Sequence, residues 1–388
     1  MSSRDEISAA RSRRRRKYQF RRFLALMISL ALIVAVIIVV NSINVFTFRD
    51  IADYFKSAFA GGDGYPVMLE STKPLKVTAM KNANAVLTDS ELLVKGKRGR
   101  ELLRAAHAYS NPSMQASGSR ILLYDGGNRG FSVYNRTGKL FFSESEYPII
   151  SAGIADDGTI AVLTRGDRSA SQLKVYSGVD YTVMFTWYGA KGFPLACGFA
   201  EGGKQAYAAS LVAVSGGLDT VFTLIDVAKT QQLAETQIPG VVMRVYNSED
   251  GYTVVTDKGV FLLSFELKLI SDYRFSRVPV LRASYENGYL ALVFGDNQQQ
   301  DINYLVLLSG KLEEQLKLEG IGAADDLLMA SDRLYLLSSG VIHEIKLDGS
   351  YSARYETQLK VIKVFLSSGR VSVLLSDRIE QPEEISSA

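Results

Sequence analysis

From residue 66 onward the hydrophobic and polar positions form short runs, and no helical period is maintained. The runs are four to eight residues long, rich in β-branched side chains, and separated by Gly, Asn, Asp and Ser. This pattern is typical of an all-β protein in which tight turns join short strands. The recurring turns are Asn82–Asn84, Ser117-Gly118, Asp157-Gly158, Gly202-Gly203, Asp250-Gly251, Asn287-Gly288, Ser331-Asp332 and Ser368-Gly369.

These turns recur every 41 residues or so, because 285 residues separate Asn84 from Gly369 over seven intervals. A similar strand follows each turn, as in RILLYDGG, TIAVLTRG and RLYLLSSG, and a second hairpin comes next. Four strands in about 41 residues is the size of a β-propeller blade. Seven units fill residues 74–360, and residues 361–380 give an eighth unit without an outer strand. PVMLE at 66–70 can supply that strand, so we predict an eight-bladed β-propeller, with seven blades as the alternative.

The N-terminal part contains one long apolar segment. The 18 residues from Phe23 to Val40 include a single polar side chain, Ser29, and their helical length is roughly 27 Å. The sequence therefore predicts one transmembrane helix over residues 23–45, with Phe23–Val45 in contact with the lipid bilayer. A signal peptide is the alternative, but Ala58-Phe59-Ala60, which resembles a cleavage site, lies too far beyond the apolar segment.

The charges are unevenly distributed along the chain. Residues 1–22 carry nine basic and two acidic side chains, a net charge of +7. Since the whole chain carries +3 and residues 23–48 are uncharged, residues 49–388 carry −4. By the positive-inside rule the basic arm is cytoplasmic and the rest is exported, which places the protein in the cell membrane as a single-pass chain. A nucleic-acid partner is not expected, because the body has no basic excess.

We therefore divide the chain into five parts. These are a cytoplasmic basic arm (1–22), the transmembrane helix (23–45), a stalk or linker (46–64), the propeller (65–380), whose N- and C-terminal strands close the last blade, and a C-terminal tail (381–388). Within the linker, residues 51–60 are predicted to form a short amphipathic helix or stalk. Gly61, Gly62 and Gly64 are predicted to form a flexible joint.

The residues that catalysis and metal binding need are scarce. The chain has one cysteine, Cys197, two histidines and one tryptophan, and it has no P-loop, HExxH or GxSxG motif. We read Cys197 as a core thiol and His343, inside a strand, as structural. The acidic pairs, including Asp325-Asp326, are read as solvated turn residues. No cofactor, no metal and no catalytic residue is predicted, and the protein is not expected to be an enzyme.

Cationic and aromatic residues concentrate in loops of the early units that share one face of a propeller. Such a patch suits a carboxylate-bearing peptide or sugar polymer, although an ordinary solvated rim is the alternative. The candidate ligand-binding residues are His107, Tyr109, Asn111, Arg129, Arg165, Arg168, Trp187, Tyr188 and Lys191. For His107 a structural role is the competing interpretation.

The segments HAYSNP, LLYDGGNRGFSVYN, PIISAGIADDGTIAVLTRGDRSASQLKVYS and FTWYGAKG resemble an uncharacterised clostridial family of single-pass, membrane-anchored β-propeller proteins of unknown function. The resemblance covers most of residues 15–380 and implies the topology and the fold, but no reaction. We expect a non-catalytic, extracytoplasmic binding or scaffold module for a cell-envelope protein or polymer. The alternatives are an envelope polysaccharide hydrolase or lyase, and a signalling protein that uses the basic arm.

Overall fold

The computed structural model describes residues 20–35, 48–70, 73–276, 278–296, 298–357 and 359–385. The chain divides into two compact units, Met1–Arg49 and Asp50–Ala388. In the first unit, residues 20–35 form helix α1, whose side chains are exposed. Among the described residues, no helix is both long and apolar enough to cross a membrane. The predicted segment 23–45 continues into residues 36–47, outside the described part, and stays a prediction.

Helix α2 (Phe48–Ala58) and strand β1 (Val67–Met68) precede a series of antiparallel sheets in the second unit. In the first four sheets the strands lie side by side in chain order. Blade 1 contains β2 (Pro74–Met80), β3 (Ala83–Thr88), β4 (Glu91–Gly96) and β5 (Glu101–Ala106). Blade 2 contains β6 (Pro112–Ser117), β7 (Arg120–Asp125), β8 (Gly130–Asn135) and β9 (Lys139–Glu144). Blade 3 contains β10 (Ile149–Ile154), β11 (Ile160–Thr164), β12 (Ser171–Tyr176) and β13 (Val183–Gly189). Blade 4 contains β14 (Phe193–Ala200), a 3-10 turn (Glu201–Gly203), β15 (Gln205–Val214), β16 (Gly217–Asp226) and β17 (Gln231–Pro239).

The second half of the ring repeats this arrangement and confirms the prediction of eight blades. Blade 5 contains β18 (Val242–Ser248), β19 (Gly251–Thr256), β20 (Gly259–Ser264) and β21 (Leu269–Arg274). Blade 6 contains β22 (Val280–Glu286), β23 (Tyr289–Phe294), a 3-10 turn (Gln300–Ile302), β24 (Tyr304–Leu308) and β25 (Glu314–Glu319). Blade 7 contains β26 (Asp326–Ala330), β27 (Arg333–Ser338), β28 (Val341–Lys346) and β29 (Tyr351–Glu356). Blade 8 contains β30 (Lys363–Ser367), β31 (Arg370–Leu374) and β32 (Arg378–Glu380).

Strand β1 supplies the outer strand of blade 8. Val67 pairs with Ile379 and Met68 with Arg378, and the backbone N–H of Leu69 donates to the carbonyl of Asp377 at 2.7 Å. The side chain of Leu69 is completely buried, in a cluster built from blades 8 and 1. The two ends of the propeller sequence therefore meet in one sheet, and blade 8 has four strands.

The tail predicted over residues 381–388 is not wholly irregular. Glu384–Ile385 forms strand β33, which pairs with β29 and gives blade 7 a fifth strand. The physical reason is that β29 is an outer strand, whose free N–H and C=O groups accept a returning chain. The predicted tail therefore contains a short paired strand at these two residues, and residues 386–388 lie outside the described part.

The turns that link first and second strands have the backbone conformation that the sequence predicted. Each of the eight contains a residue with positive φ, and at Asn287-Gly288 both residues have it, with values of 50° and 79°. This is the geometry of a two-residue hairpin whose twist matches the strands on either side. The apolar faces of the sheets then pack blade against blade, as in the cluster that joins Leu92 of blade 1 to Leu123 of blade 2.

The predicted linker 46–64 contains a helix that is fixed to the propeller. Asp53 of α2 accepts two hydrogen bonds from Arg136, at 2.6 and 2.8 Å, and Asp50 forms an ion pair with Arg120. The carboxylates lie three residues apart, on one face of the helix, so both reach blade 2. Arg136 also donates to the carbonyl of Lys81 at 2.7 Å. This part of the linker is therefore docked rather than a free stalk.

The glycine joint is also held in place. The N–H of Gly64 donates to the carbonyl of Arg98, in the turn between β4 and β5, at 3.1 Å. A Cβ at Gly62 would lie 2.1 Å from the same carbonyl oxygen, and the φ of Gly62 is 147°. Glycine is needed there because the backbone of the joint passes directly over this turn. The joint therefore contacts blade 1 at Gly62 and Gly64, and its flexibility stays a prediction.

Candidate functional site

The two faces of the propeller carry different loops. The upper face, as we name it, carries the loops between second and third strands and the connections from an outer strand to the next inner strand. The lower face carries the tight turns and α2, whose Asp53 contacts Arg136 in a turn of blade 2. The nine residues that the sequence singled out all belong to segments of the upper face.

His107 and Tyr109 lie in the connection between blades 1 and 2 and are half-buried. Nε2 of His107 lies 3.2 Å from the carbonyl oxygen of Thr88, and its ring stacks on Tyr109 with 5.5 Å between centroids. Burial lowers the pKa of His107, which favours the neutral imidazole. The Tyr109 hydroxyl bonds that of Ser132 at 2.8 Å. Both polar groups are therefore used within the fold, and the structural interpretation of His107 is favoured.

Asn111 belongs to a hydrogen-bonded corner that the sequence analysis missed. The carboxylate of Asp125, at the end of β7, accepts the backbone N–H groups of Ser110 at 3.1 Å and Asn111 at 2.8 Å. The Asn111 amide donates to the carbonyl of Gly126 at 3.2 Å. These hydrogen bonds hold the connection between blades 1 and 2 against the loop that follows β7. Asn111 therefore has a structural role at the upper face. The Asp-Gly step at 125–126 was the available signal.

Arg165, Arg168 and Tyr188 are brought together around a cleft of about 490 Å³ in blade 3. The loop between β11 and β12 forms one wall, and Tyr188, which is 63% exposed, belongs to the other. The guanidinium of Arg165 lies 5.8 Å from the ring centroid of Phe193. Within the described part of the chain, neither arginine has a carboxylate within ion-pair distance. The cleft therefore presents two guanidinium groups without an ion-pair partner and the single carboxylate of Asp167, a net positive charge beside an exposed aromatic ring.

The remaining three candidates lie elsewhere. Trp187 is half-buried against the core beneath blade 3, and its Nε1 donates to Gln232 at 3.2 Å. Lys191 pairs with Glu235 at 3.2 Å, beside a separate recess of about 270 Å³. Arg129 is exposed in blade 2 and does not line the cleft. The nine residues thus share a face but form no single site.

A second group of cations, which the sequence analysis missed, lies where the inner strands begin. Arg244, Arg282 and Lys363 line a cavity of about 410 Å³ together with Asp325 and Asp326. Asp326 is buried and pairs with Lys363 at 2.6 Å, so the interpretation of this residue as a solvated turn carboxylate was wrong. The available signal was an apolar residue followed by a cation at the start of several inner strands.

The described residues offer little for metal or thiol chemistry. Among them, no group of three or more His, Cys, Asp and Glu side chains could hold a metal ion. Cys197 is buried in the core between blades 3 and 4, and burial raises the pKa of its thiol to about 12. A thiol with that pKa stays protonated and is a poor nucleophile near neutral pH.

Three solved structures resemble this chain in fold. The computationally designed protein Ika8 is 12% identical, with a TM-score of 0.63, over 81% of this chain and 98% of its own. Sqt1 of Saccharomyces cerevisiae is 8% identical, with a TM-score of 0.62, over 83% and 99%. BamB from Moraxella catarrhalis is 10% identical, with a TM-score of 0.55, over 82% and 95%. At such identities the similarity shows the fold alone.

The sequence comparisons give a family without an activity. No curated protein matches the sequence. The model of a family of unknown function, DUF5711, matches residues 68–381. The predicted resemblance to a family of unknown function is thereby confirmed, whereas the clostridial source and the single-pass anchor stay predictions.

Proposed function

The chain belongs to the DUF5711 family of unknown function, and we propose that it is a membrane-anchored, extracytoplasmic binding module. In this proposal the upper face holds a carboxylate-bearing protein or polymer of the cell envelope and performs no reaction on it. The observation that carries the proposal is the cleft of Arg165, Arg168 and Tyr188, where two guanidinium groups have no carboxylate partner in the described structure.

The chemistry of the cleft favours a carboxylate. A guanidinium offers a planar pair of donors that matches a carboxylate, and each charge-assisted hydrogen bond contributes about 1.5–3 kcal/mol. Asp167 also lines the cleft, and its carboxylate accepts a hydrogen bond from the hydroxyl of Tyr147 at 3.4 Å, so the two arginines leave the cleft with a net positive charge. The exposed ring of Tyr188 adds a flat apolar surface for a sugar ring or an aliphatic chain.

The double variant Arg165→Ala, Arg168→Ala tests this proposal in the full-length chain. We expect binding of polygalacturonate or poly-glutamate, measured by calorimetry, to weaken by about 1–3 kcal/mol, and added salt to have a similar effect. Arg129→Ala is the matched control, since Arg129 is an exposed arginine of the same face outside the cleft. Equal affinity of the double variant and the control at low salt would refute the proposed site.

The anchor and the orientation rest on the sequence. The 18 apolar residues from Phe23 to Val40 and the +7 charge before them support a single span with a cytoplasmic N-terminus. Protease added to intact cells or spheroplasts should then digest the propeller and leave the N-terminal arm intact. A protected propeller in cells whose periplasmic or surface markers are digested would refute the orientation.

The acidic pair Asp325-Asp326, which lines the cavity of about 410 Å³, supports binding rather than hydrolysis. The Asp325 carboxylate accepts the N–H of Ser339 at 3.2 Å, and Asp326 is held by Lys363 and by the N–H of Val364 at 2.8 Å. A glycosidase needs two carboxyl groups that face the sugar from opposite sides. This pair is engaged within the protein instead, so we assign the module no catalytic role.

A further inference from the structure

The inner strands share an irregularity at the same place. In blades 1, 3, 5 and 6 the pairing of the inner strand shifts after its first residue, and in blade 4 after its second, as a β-bulge does. A bulge turns a side chain away from the regular alternation of the strand. The bulged residues are all apolar. They are Leu75, Ile150, Leu195, Met243 and Leu281.

These apolar side chains remain accessible at the top of the central channel. Leu75 and Met243 are each 42% exposed, and Ile362, at the corresponding place in blade 8, is 39% exposed. Met243, Leu281 and Ile362 line the cavity of about 410 Å³, which draws on blades 5 to 8. Inner strands of four blades approach one another only around the axis, and their first residues lie at the upper face. The bulges therefore place an apolar ring at the upper mouth of the channel.

A cation directly follows the apolar residue in four blades. These dipeptides are Leu75-Lys76, Met243-Arg244, Leu281-Arg282 and Ile362-Lys363. Lys76 belongs to blade 1 and Arg244 to blade 5, on opposite sides of the ring. The positive charges of Arg244 and Lys363 add to the lowering of the pKa of Lys76, after desolvation as the main cause. Arg244, Arg282 and Lys363 line the cavity together, so cations of three blades lie at the upper mouth of the channel.

The charges at this mouth are poorly compensated. Lys76 donates to the carbonyl of Met114 at 2.9 Å, and Arg244 donates to the carbonyl of Met243 at 2.8 Å. Arg282 donates to the carbonyl of Asp325 at 2.9 and 3.1 Å. Backbone carbonyls supply no negative charge, and of the four cations only Lys363 has a carboxylate partner in the described structure. Asp325 also lines the cavity, but with Lys363 paired to Asp326 the guanidinium groups of Arg244 and Arg282 outnumber the remaining carboxylate, so an anion would be stabilised there.

We propose that the upper mouth of the central channel binds an acidic peptide segment that alternates carboxylate and apolar side chains. The carboxylates contact Arg244, Lys76 and Arg282, and the apolar side chains pack on the ring that contains Met243 and Leu281. The apolar ring favours a peptide over other anions. A phosphate or a sugar polymer would contact the cations and leave the apolar side chains of the ring exposed to water. This site is separate from the cleft of blade 3.

Fluorescence anisotropy on the full-length chain tests the inference. The probe is a short fluorescein-labelled peptide of alternating Glu and Leu, with two matched peptides in which Gln replaces Glu or Ser replaces Leu. We expect the Glu-Leu peptide to bind, and Arg244→Gln to weaken it roughly tenfold to a hundredfold. Met243→Ser should weaken the Glu-Leu peptide and leave the Glu-Ser peptide unaffected. Thermal unfolding of each variant reports whether the variant is folded. If Arg244→Gln does not fold, Lys76→Gln provides the same test of charge.

The control and the contrary outcomes separate this site from the cleft of blade 3. Arg129→Gln removes an exposed arginine of the same face that lies outside both sites, and it should leave peptide binding unchanged. Affinity that survives both Arg244→Gln and Lys76→Gln would overturn the inference, as would equal binding of the Glu-Leu and Glu-Ser peptides. Displacement of the peptide by inorganic phosphate at similar concentration would show a simple anion site and also overturn it. If only Arg165→Gln reduced binding, the cleft proposal would stand and this one would fail.

Discussion

Replacement of one buried leucine tests how the ring is closed. Leu69 follows the two-residue strand β1, and its side chain is 0% exposed between Val77 and Leu93 of blade 1 and Leu374 of blade 8. Leu69→Ala removes part of a side chain from a site where neighbours on two blades must collapse to fill the space. Substitutions of this kind lower the free energy of unfolding by about 2–5 kcal/mol. This is a large part of the total free energy of unfolding of an ordinary protein, about 5–15 kcal/mol.

The assay is equilibrium unfolding of the full-length chain in urea, followed by circular dichroism and by the fluorescence of Trp187. Met68→Ala is the matched control, because Met68 is the adjacent residue of the same segment and is 53% exposed. Its free energy of unfolding should change by no more than about 0.5 kcal/mol. If the two variants were equally stable, Leu69 would not carry the closure and the joining of the terminal strands would contribute little to stability.

Two further predictions concern buried polar groups. Asp53→Ala leaves Arg136 buried without its counter-charge, so the free energy of unfolding in urea should fall by about 3–5 kcal/mol. The double variant Asp53→Leu, Arg136→Met should restore most of that free energy. A loss below 1 kcal/mol, roughly the value of a surface ion pair, would contradict the docking of α2. Burial raises the pKa of Cys197 from 9.0 to about 12, so above pH 9.0 the unfolded chain releases a proton that the folded chain keeps. This group should then lower the free energy of unfolding by about 1.4 kcal/mol per pH unit as the pH rises. The free energy of unfolding of Cys197→Ala should fall less steeply over the same range. Parallel pH profiles of the two proteins would contradict the burial of Cys197.

The blades could be predicted from the sequence because each turn carries its own local signal. Asn287-Gly288 adopts positive φ at both positions at little cost, and the short apolar run after it forms a strand in which five of six residues are buried. Seven more turns repeat this signal at nearly constant spacing, so the count of blades follows from local information. The added strand Glu384–Ile385 carries no such signal, because its pairing depends on the free edge of β29 far away in the chain.

The docking of α2 could not be predicted for a related reason. Asp50 and Asp53 have the spacing of ordinary solvated helix residues, and Arg120 and Arg136 stand next to turns, where charged residues are usually exposed. Only the folded blade brings the four together, and there Asp53 is 1% and Arg136 3% exposed. The contribution of such an ion pair to stability depends on how deeply it is buried, and the pattern of charges along the sequence does not predict burial.

Loop position predicted which face the candidate residues share, but it could not predict which of them are free. Asn111 and Arg165 both come from loops of the upper face, yet Asn111 donates to the carbonyl of Gly126 while Arg165 borders an open cleft. The cations of the channel mouth could not be predicted for a different reason. Regular alternation places Met243 and Arg244 on opposite sides of their strand, whereas the bulge between Val242 and Arg244 breaks that alternation, and both residues line the cavity. A bulge is a property of the pairing with the next strand, so the composition of the mouth follows from the sequence only after the register is known.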